Sequence, residues 1–168
     1  MRISPMSSSD VEIMPCRNEF LPQLTELWKE YMVDQGEDPL LPYLDLEASK
    51  EGFRKILESY LEMEPEGFLV ALLGSVVVGF AVSFKNALGP NYITNKRIGL
   101  LQVVYVKRGY RRRGIATQLV NAAFSYLVAN GCSIVLAETG EKNTRSIQIL
   151  EKLGFKQRGK LVTFMKDI

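Results

Sequence analysis

The chain has 168 residues, of which 46% are hydrophobic and 24% charged, and its 21 Lys and Arg against 19 Asp and Glu give a net charge of only +2. This length and composition are typical of one soluble globular domain, and the near balance of charges argues against a protein that coats nucleic acid. The chain has no histidine, and Cys16 and Cys132 have no metal-ligand spacing, which excludes histidine-based triads, Cys-His dyads and His-ligated zinc.

The polar stretch at residues 1–10 is predicted to be a flexible leader, followed by a single domain over residues 11–168. The sequence contains neither a secretory signal nor an apolar segment of membrane-spanning length. We therefore expect a cytoplasmic protein with reduced thiols and no membrane partner.

The first half of the domain is predicted to contain a strand, two amphipathic helices and a hairpin. Apolar residues at helical spacing predict a helix capped by Asn18 that ends near Asp34, and a second helix that ends near Leu61. Between them, residues 35–45 hold a glycine, two prolines and three acids, a composition typical of a loop. Two β-rich runs are joined by Gly74-Ser75, a two-residue hairpin signal. The predicted strands of this half cover residues 11–15, 68–73 and 76–84.

After a polar loop at residues 85–97, the pattern changes to alternating strands and helices. Gly131 and Gly154 each follow an apolar periodic segment, where they are placed to end a helix. The sequence therefore predicts an α+β fold in which an antiparallel meander passes into a β-α-β-α-β segment. The elements of this segment are strands at 98–106, 133–138 and 155–165 and helices at 114–130 and 143–153.

Five of the seven residues from Lys107 to Arg113 are cationic, and they precede the helix that begins near Gly114. The first turn of a helix exposes unpaired N–H groups and the positive end of the helix dipole. Gly114 has no Cβ to hold a pyrophosphate away from the backbone, and Ala116 keeps the next turn open. The segment is therefore a candidate pyrophosphate site, and the alternatives are a solvated turn or a nucleic-acid patch.

Two motifs resemble those of the GNAT superfamily of N-acetyltransferases. The pattern Arg-x-x-Gly-x-Ala at residues 111–116 is similar to the family's acetyl-CoA motif, Arg/Gln-x-x-Gly-x-Gly/Ala. The pattern Asn-x-x-Ser-x-x-x-x-Glu-Lys-x-Gly-Phe at residues 143–155 is similar to the family's next motif, Asn-x-x-Ala-x-x-Leu-Tyr-Glu-Lys-x-Gly-Phe. The resemblance in motifs covers residues 98–155, and the rest of the chain matches only in the order of its elements.

The resemblance implies a mostly antiparallel central sheet of six to seven strands, flanked by about four helices. In that family the fourth and fifth strands splay apart, and the pantetheine arm of acetyl-CoA lies between them. The implied reaction transfers an acetyl group from acetyl-CoA to a primary amine of a small molecule or a peptide by direct attack, without a covalent enzyme intermediate. A homodimer through the sheet or the last strand is compatible with the resemblance, although nothing in the residues requires one.

The resemblance also implies which residues bind the cofactor. The fourth strand would pair with pantetheine, the basic loop would bind pyrophosphate, and the second motif would contribute a side-chain hydrogen bond. Asn143 is equally well explained as the N-cap of the last helix. The implied cofactor-binding residues are Val104, Val106, Arg111, Arg112, Arg113, Gly114, Ile115, Ala116, Asn143 and Ser146.

Candidate catalytic residues must come from carboxylates, tyrosine, lysine, thiols, water or backbone groups, because histidine is absent. The resemblance places a strand bulge at Val106, and a bulge frees an N–H that can stabilise an oxyanion. The family's usual tyrosine acid falls at Leu150, so Tyr105 is a candidate acid, with packing as the alternative. Glu138 is the candidate base, and the alternatives are a solvated acid at a strand end or a water chain.

The loops at residues 35–45 and 85–97 are expected to cover the cleft and to select the acceptor. Glu37, Asp38 and Asp45 in the first loop could attract a cationic amine such as a polyamine, an aminoglycoside or a peptide N-terminus, or serve solubility alone. Loss of the usual tyrosine also leaves an alternative function open, namely a non-catalytic acyl-CoA-binding regulatory module.

Overall fold

The computed structural model describes residues 10–35, 45–87, 95–160, 162, 164 and 166. The chain divides into two compact units, Met1–Glu138 and Thr139–Ile168. Almost all of the predicted leader lies outside the described residues, and a single domain over residues 11–168 stays a prediction. No helix among the described residues combines the length and the apolar character needed to cross a bilayer.

The described residues of the first unit form one five-stranded sheet with the order β1-β2-β3-β4-β5. The first four strands form the predicted antiparallel meander, and the last strand pairs parallel to β4. The strands are β1 (Val11–Pro15), β2 (Phe68–Leu73), β3 (Val76–Phe84), β4 (Arg97–Val106) and β5 (Cys132–Ala137).

Three helices cover the two faces of this sheet: α1 (Leu21–Gln35), α2 (Lys50–Met63) and α3 (Ile115–Ala129). Neighbouring residues of β3 show the two faces. Phe80 packs against Trp28 of α1 with ring centroids 5.8 Å apart, whereas a Cβ on Gly79 would lie 3.3 Å from Leu119 of α3. Since successive residues of a strand point to opposite faces, α1 and α3 lie on opposite sides of the sheet.

An aromatic cluster holds α1 against β3 and β4. Tyr31 of α1 lies 5.0 Å from Trp28, 6.2 Å from Phe80 and 5.7 Å from Tyr105, measured between ring centroids. Such pairs each contribute roughly 0.5–1.5 kcal/mol beyond the burial of their surface. The cluster therefore fixes the last turn of α1 beside the end of β4.

The start of α1 differs from the predicted one. Asn18 begins a 3-10 turn, Asn18–Phe20, and α1 starts only at Leu21, so Asn18 is not the N-cap of that helix. Pro22 explains the late start, because proline is tolerated in the first turn of a helix, where its missing N–H costs no hydrogen bond.

The predicted number of strands was wrong, since the described residues contain five rather than six to seven. In the second unit α4 (Thr144–Lys152) is present as predicted, but the described residues between 155 and 166 form no strand. Residues 156–160 are Lys-Gln-Arg-Gly-Lys, all exposed, so this stretch has no apolar face to bury in a sheet.

Candidate cofactor and active site

Strands β4 and β5 pair only over part of their length. The parallel register runs from Arg97 opposite Cys132 to Leu101 opposite Ala137, where β5 ends. Among the described residues, 102–106 of β4 have no strand partner on the side where β5 pairs with the earlier part of β4, and this unpaired side is called the open side below.

The backbone of β4 directs hydrogen-bonding groups toward this open side. Val106 lies opposite Gly79, and the neighbouring Lys107 N–H donates to the carbonyl of Val78 at 2.9 Å. In an antiparallel ladder this pattern makes Val106 and Gly79 a non-hydrogen-bonded pair, so both point their polar groups away from each other. Val104, two residues earlier, is in the same class, and the N–H and C=O groups of both valines therefore point away from β3.

The bulge of β4 lies at Gln102, and its predicted position at Val106 was wrong. The register passes from Val82 opposite Val103 to Ser83 opposite Leu101, which leaves Gln102 as the extra residue. The Gln102 side chain is exposed, although both of its neighbours are buried. The Val106 N–H points away from β3 because N–H groups alternate in direction along a regular antiparallel strand, and no bulge is needed.

The loop between β4 and α3 has an unusual backbone. It begins with a 3-10 turn, Arg108–Tyr110, and then Arg112 and Gly114 adopt left-handed conformations with φ of 63° and 75°. Turns that contain left-handed residues direct successive N–H groups into an anion-binding concavity. The first turn of α3 follows at once with N–H groups that have no helical acceptor. The space that a Cβ on Gly114 would occupy is empty, so an anion can approach the backbone there.

The five cations of the loop differ in their partners. Lys107 Nζ lies 3.7 Å from Glu30 of α1, and both Arg108 and Arg111 form ion pairs with Asp34, one turn further along the same helix. Arg112 and Arg113 have no carboxylate partner in the part of the chain that the structure describes. The positive charge available to an external anion is therefore concentrated at the residues next to Gly114.

Asp34 is the carboxylate on which the loop converges. It accepts a hydrogen bond from Arg108 Nε at 2.9 Å, one from Arg111, and one from the Tyr105 hydroxyl at 2.8 Å. Burial raises the pKa of Asp34, but these hydrogen bonds outweigh burial and hold that pKa well below its usual range. Asp34 is therefore charged throughout the physiological pH range.

The side chain of Arg111 is directed at β4 and α1. Its Nε donates to the carbonyl oxygen of Val106 at 2.7 Å, and its guanidinium lies 5.2 Å from the centroid of the Tyr105 ring. Only 20% of the side chain is exposed. Arg111 thus joins strand, loop and helix, and its N–H donates to the carbonyl of Arg108 at 3.4 Å within the 3-10 turn.

The elements that form this candidate site also match those of known proteins. The profile of the acetyltransferase (GNAT) family matches residues 17–155, which include the open edge of β4, the basic loop and α4. The chain belongs to the GNAT acetyltransferase family. The fold is the α+β fold of this family, and its described residues form one five-stranded sheet.

Several relatives of this acetyltransferase have names that state an activity. An aminoglycoside N(6')-acetyltransferase type 1 of Salmonella typhimurium is 25% identical over 109 residues, covering 65% of this chain and 75% of the relative. N-alpha-acetyltransferase 30 of Xenopus laevis is 37% identical over 59 residues, covering 35% and 22% of the two chains. Among solved structures, AAC(6')-Iy in complex with a CoA-S-monomethyl-acetylneamine bisubstrate analogue has a TM-score of 0.70 at 20% identity, covering 94% of this chain and 99% of that one.

Tyr105 of the acetyltransferase lies in the core on the face that α1 covers. It is 6% exposed, and its ring packs against Tyr31 and Phe80. Burial, together with the hydrogen bond to Asp34, raises the pKa of its hydroxyl above the ordinary value. The geometry favours packing, the alternative to a catalytic acid.

Glu138 follows Ala137, the last residue of β5, and is exposed. It thus lies one residue beyond the point where β4 and β5 cease to pair. This position is compatible both with a base that faces water and with a solvated acid, so the role of Glu138 stays a prediction.

In the second unit of the acetyltransferase, Asn143 is the N-cap of α4. Its Oδ1 accepts a hydrogen bond from the N–H of Ser146 at 3.2 Å. The capping interpretation is therefore confirmed, and contacts of Asn143 and Ser146 with a cofactor stay predictions. Leu150, which replaces the family's usual tyrosine, is half-buried on the same helix.

Asp45 belongs to the loop at residues 35–45 that was predicted to select the acceptor, and its side chain binds backbone groups nearby. Asp45 accepts hydrogen bonds from the N–H groups of Glu47 and Ala48, both at 3.0 Å, and so stabilises the turn before α2. Glu37 and Asp38 lie outside the described residues. Asp45 is thus explained by local structure without an acceptor amine.

Sequence reasoning did not identify Glu30 and Asp34 as partners of the basic loop. Their spacing of four residues places both on one face of α1, which is a signal of a paired acidic face. What the sequence lacked was the knowledge that this face meets the end of β4, because that contact depends on the packing of the aromatic cluster.

Proposed function

We propose that this GNAT N-acetyltransferase transfers the acetyl group of acetyl-CoA to a primary amine of a cationic small molecule of the aminoglycoside type. The observation that carries the proposal is the continuity of the open edge of β4 with the loop at residues 111–116. Together they offer backbone donors and acceptors for an amide-containing arm and a concavity for its pyrophosphate. The aminoglycoside acetyltransferase relative and the bisubstrate complex support the acceptor class.

In this proposal Val104 supplies the N–H and C=O that pair with the amides of pantetheine. The N–H groups between Arg112 and Ala116 bind pyrophosphate, and the side chains of Arg112 and Arg113 add charge. Arg111 holds the loop in place, because its guanidinium is engaged by Asp34 and Val106 and its N–H by the carbonyl of Arg108. Ile115 is 2% exposed and anchors the first turn of α3 in the core.

Bound acetyl-CoA supplies an activated thioester. The chain's own residues orient the thioester and the amine and stabilise the charge that develops as the amine attacks the carbonyl carbon. The Val106 N–H, turned to the open side, is placed to donate to a carbonyl oxygen that gains negative charge, a contribution worth about 2.7–4 kcal/mol in other enzymes. Glu138 follows the residue that pairs with Leu101, several strand residues before Val106, so it accepts the amine proton through water. We expect the thiolate to leave without an acid, since a thiol that titrates near ~8.5 is a tolerable leaving group.

The alternative of a non-catalytic acyl-CoA-binding module is less well supported, because the relatives described above are named as acetyltransferases. A second acceptor class is a peptide N-terminus, favoured by the match to N-alpha-acetyltransferase 30. The two acceptor classes differ in size and charge, so a single panel separates them.

The deciding experiment combines calorimetric titration with acetyl-CoA and a thiol-release assay on aminoglycosides, polyamines and short peptides. Saturable binding with turnover on an aminoglycoside supports the proposal, and turnover on peptides alone replaces the acceptor class. Binding without turnover on any amine would favour the regulatory module. Gly114→Glu should abolish binding, whereas Gly52→Glu, which adds the same charge to an exposed position of α2, should not.

A further inference from the structure

One carboxylate of α1 receives donors from three consecutive parts of the chain. Asp34 accepts hydrogen bonds from Tyr105 near the end of β4, from Arg108 in the 3-10 turn and from Arg111 in the loop. An ionised carboxylate offers about four lone-pair sites, so most of its capacity is used. These three donors flank the segment that runs from Val106 to the pyrophosphate loop.

Arg111 transmits this contact to the backbone of β4. Its Nε binds the carbonyl of Val106 at 2.7 Å, while the N–H of Lys107 binds the carbonyl of Val78 at 2.9 Å. Both polar groups of the planar peptide between Val106 and Lys107 are therefore fixed. Restricting this peptide also restricts the adjoining Val106 N–H, which is the proposed oxyanion donor.

We propose that Asp34 is a positioning residue for acetyl transfer, an inference that rests on the function proposed above. Asp34 holds Arg111 against the end of β4, and Arg111 keeps the Val106 N–H directed at the open side of the strand. The Arg111 guanidinium is then a clamp on the strand and not a ligand of the pyrophosphate.

The distribution of charge supports this division of roles. Glu30 and Asp34 form ion pairs with Lys107, Arg108 and Arg111, whereas Arg112 and Arg113 have no carboxylate partner among the described residues and stay available to an external anion. Without Asp34, Arg108 and Arg111 would lose their shared counter-ion and repel each other. The loop would then lose the ion pairs that attach it to α1.

Two variants test the clamp from its two ends. Asp34→Asn keeps the size of the side chain but removes its charge, and Arg111→Lys keeps the charge but lacks the fork that reaches both Val106 and Asp34. Each should lower kcat at saturating acetyl-CoA about 10- to 100-fold, as expected when reacting groups are misplaced by about 1 Å. The dissociation constant of CoA should change little, because Arg112, Arg113 and the first turn of α3 are untouched.

The double variant separates this mechanism from general damage. If both residues act through one contact, Asp34→Asn combined with Arg111→Lys should be no slower than the slower single variant. Glu30→Gln is the matched control, because it removes the neighbouring half-exposed ion pair one turn earlier on α1 and should leave kcat unchanged. Melting temperatures establish which variants are folded, and Arg111→Lys remains informative if Asp34→Asn does not fold.

Wild-type kcat in the folded single variants, or additive losses in the double variant, would overturn the positioning role and leave the proposed function standing. A rise in the dissociation constant of CoA that accounts for the whole loss in Arg111→Lys would identify Arg111 as a phosphate ligand instead. A wild-type enzyme that binds acetyl-CoA but acetylates no amine overturns the proposed function, and the positioning role with it.

Discussion

Arg112 combines a strained backbone with an exposed side chain that has no carboxylate partner among the described residues. Its φ of 63° lies in the left-handed region, where a residue with a Cβ costs about 1–2 kcal/mol, and it is the one such non-glycine residue among those that the structure describes. Glycine would remove that cost at once. An arginine at this position is explained if the guanidinium contributes to the site next to Gly114.

Substitutions of Arg112 separate its charge from its backbone. Arg112→Asn and Arg112→Gly both remove the charge, and both residues tolerate the left-handed conformation. Each should weaken acetyl-CoA binding about tenfold, because one hydrogen bond between charged groups is lost. Arg112→Lys should retain most of the affinity. Calorimetric titration of the three variants checks this, and equal affinity in all of them would show that the guanidinium does not contact the cofactor.

The two thiols should be unreactive in the folded enzyme. Cys16 is 5% exposed and Cys132 7% exposed, and burial raises the pKa of Cys16 to about 12 and that of Cys132 above its ordinary value. Because the thiolate is the reactive form, Ellman's reagent should label neither residue quickly in the native state and both after denaturation. Rapid labelling of the native protein would contradict the burial and would also disturb the thiol-release assay.

The strands that carry the site depend on one close approach. A Cβ on Gly79 would lie 2.8 Å from the carbonyl oxygen of Tyr105, which is backbone and cannot move aside like a flexible side chain. Gly79 also lies opposite Val106, so the spacing between β3 and β4 at the proposed oxyanion donor is set by the absence of a side chain. Packing of one element thus determines the geometry of the site on another.

Alanine substitutions in β3 and α2 should have opposite effects. Gly79→Ala forces β3 from β4 and should lower the free energy of unfolding by about 1–3 kcal/mol, as other overpacked substitutions do. Gly52→Ala lies on the exposed side of α2 with nothing near the added Cβ, so it should raise that free energy by about 0.5–1 kcal/mol. Urea unfolding measures both, and a neutral Gly79→Ala would mean that the strands can separate without cost.

The elements of the first unit could be predicted because their signals are local. The strand pattern of 68–73 and 76–84 and the basic loop before Gly114 are readable from composition and period alone. The described residues of the strand predicted at 155–165 form no strand, and five of them in a row, 156–160, are polar or glycine and exposed. The bulge at Gln102 also has no local signal, because it depends on the register between β3 and β4.

At the scale of the whole molecule, α1 and β4 are joined by a few interactions of different kinds. The aromatic contacts of Trp28 and Tyr31 bring the helix to the strand, and Asp34 then ties the helix to the loop. The position of the cofactor loop therefore depends on tertiary packing that residues distant in sequence create. This dependence is why the motif at 111–116 could be found from sequence while its clamp could not.

The charge of Asp34 should contribute to the stability of the fold in a defined pH range. Burial opposes ionisation, but the hydrogen bonds from Arg108, Arg111 and Tyr105 prevail and lower its pKa in the folded state. A carboxylate whose pKa is lowered by folding stabilises the fold at pH values above its pKa in the unfolded state, ~3.9. This stabilisation is lost as the pH falls toward the pKa in the folded state. The difference in unfolding free energy between wild type and Asp34→Asn should therefore stay constant from neutral pH down to about 5.

Below about pH 4 this difference should shrink, because a protonated aspartate resembles asparagine in size and charge. Urea titrations of both proteins at a series of pH values down to about 3 measure the trend. A difference that persists unchanged at the lowest pH would show that the ionised carboxylate is not what joins α1 to the loop. The clamp would then depend on shape and packing, and the loss of kcat expected for Asp34→Asn would lose its electrostatic basis.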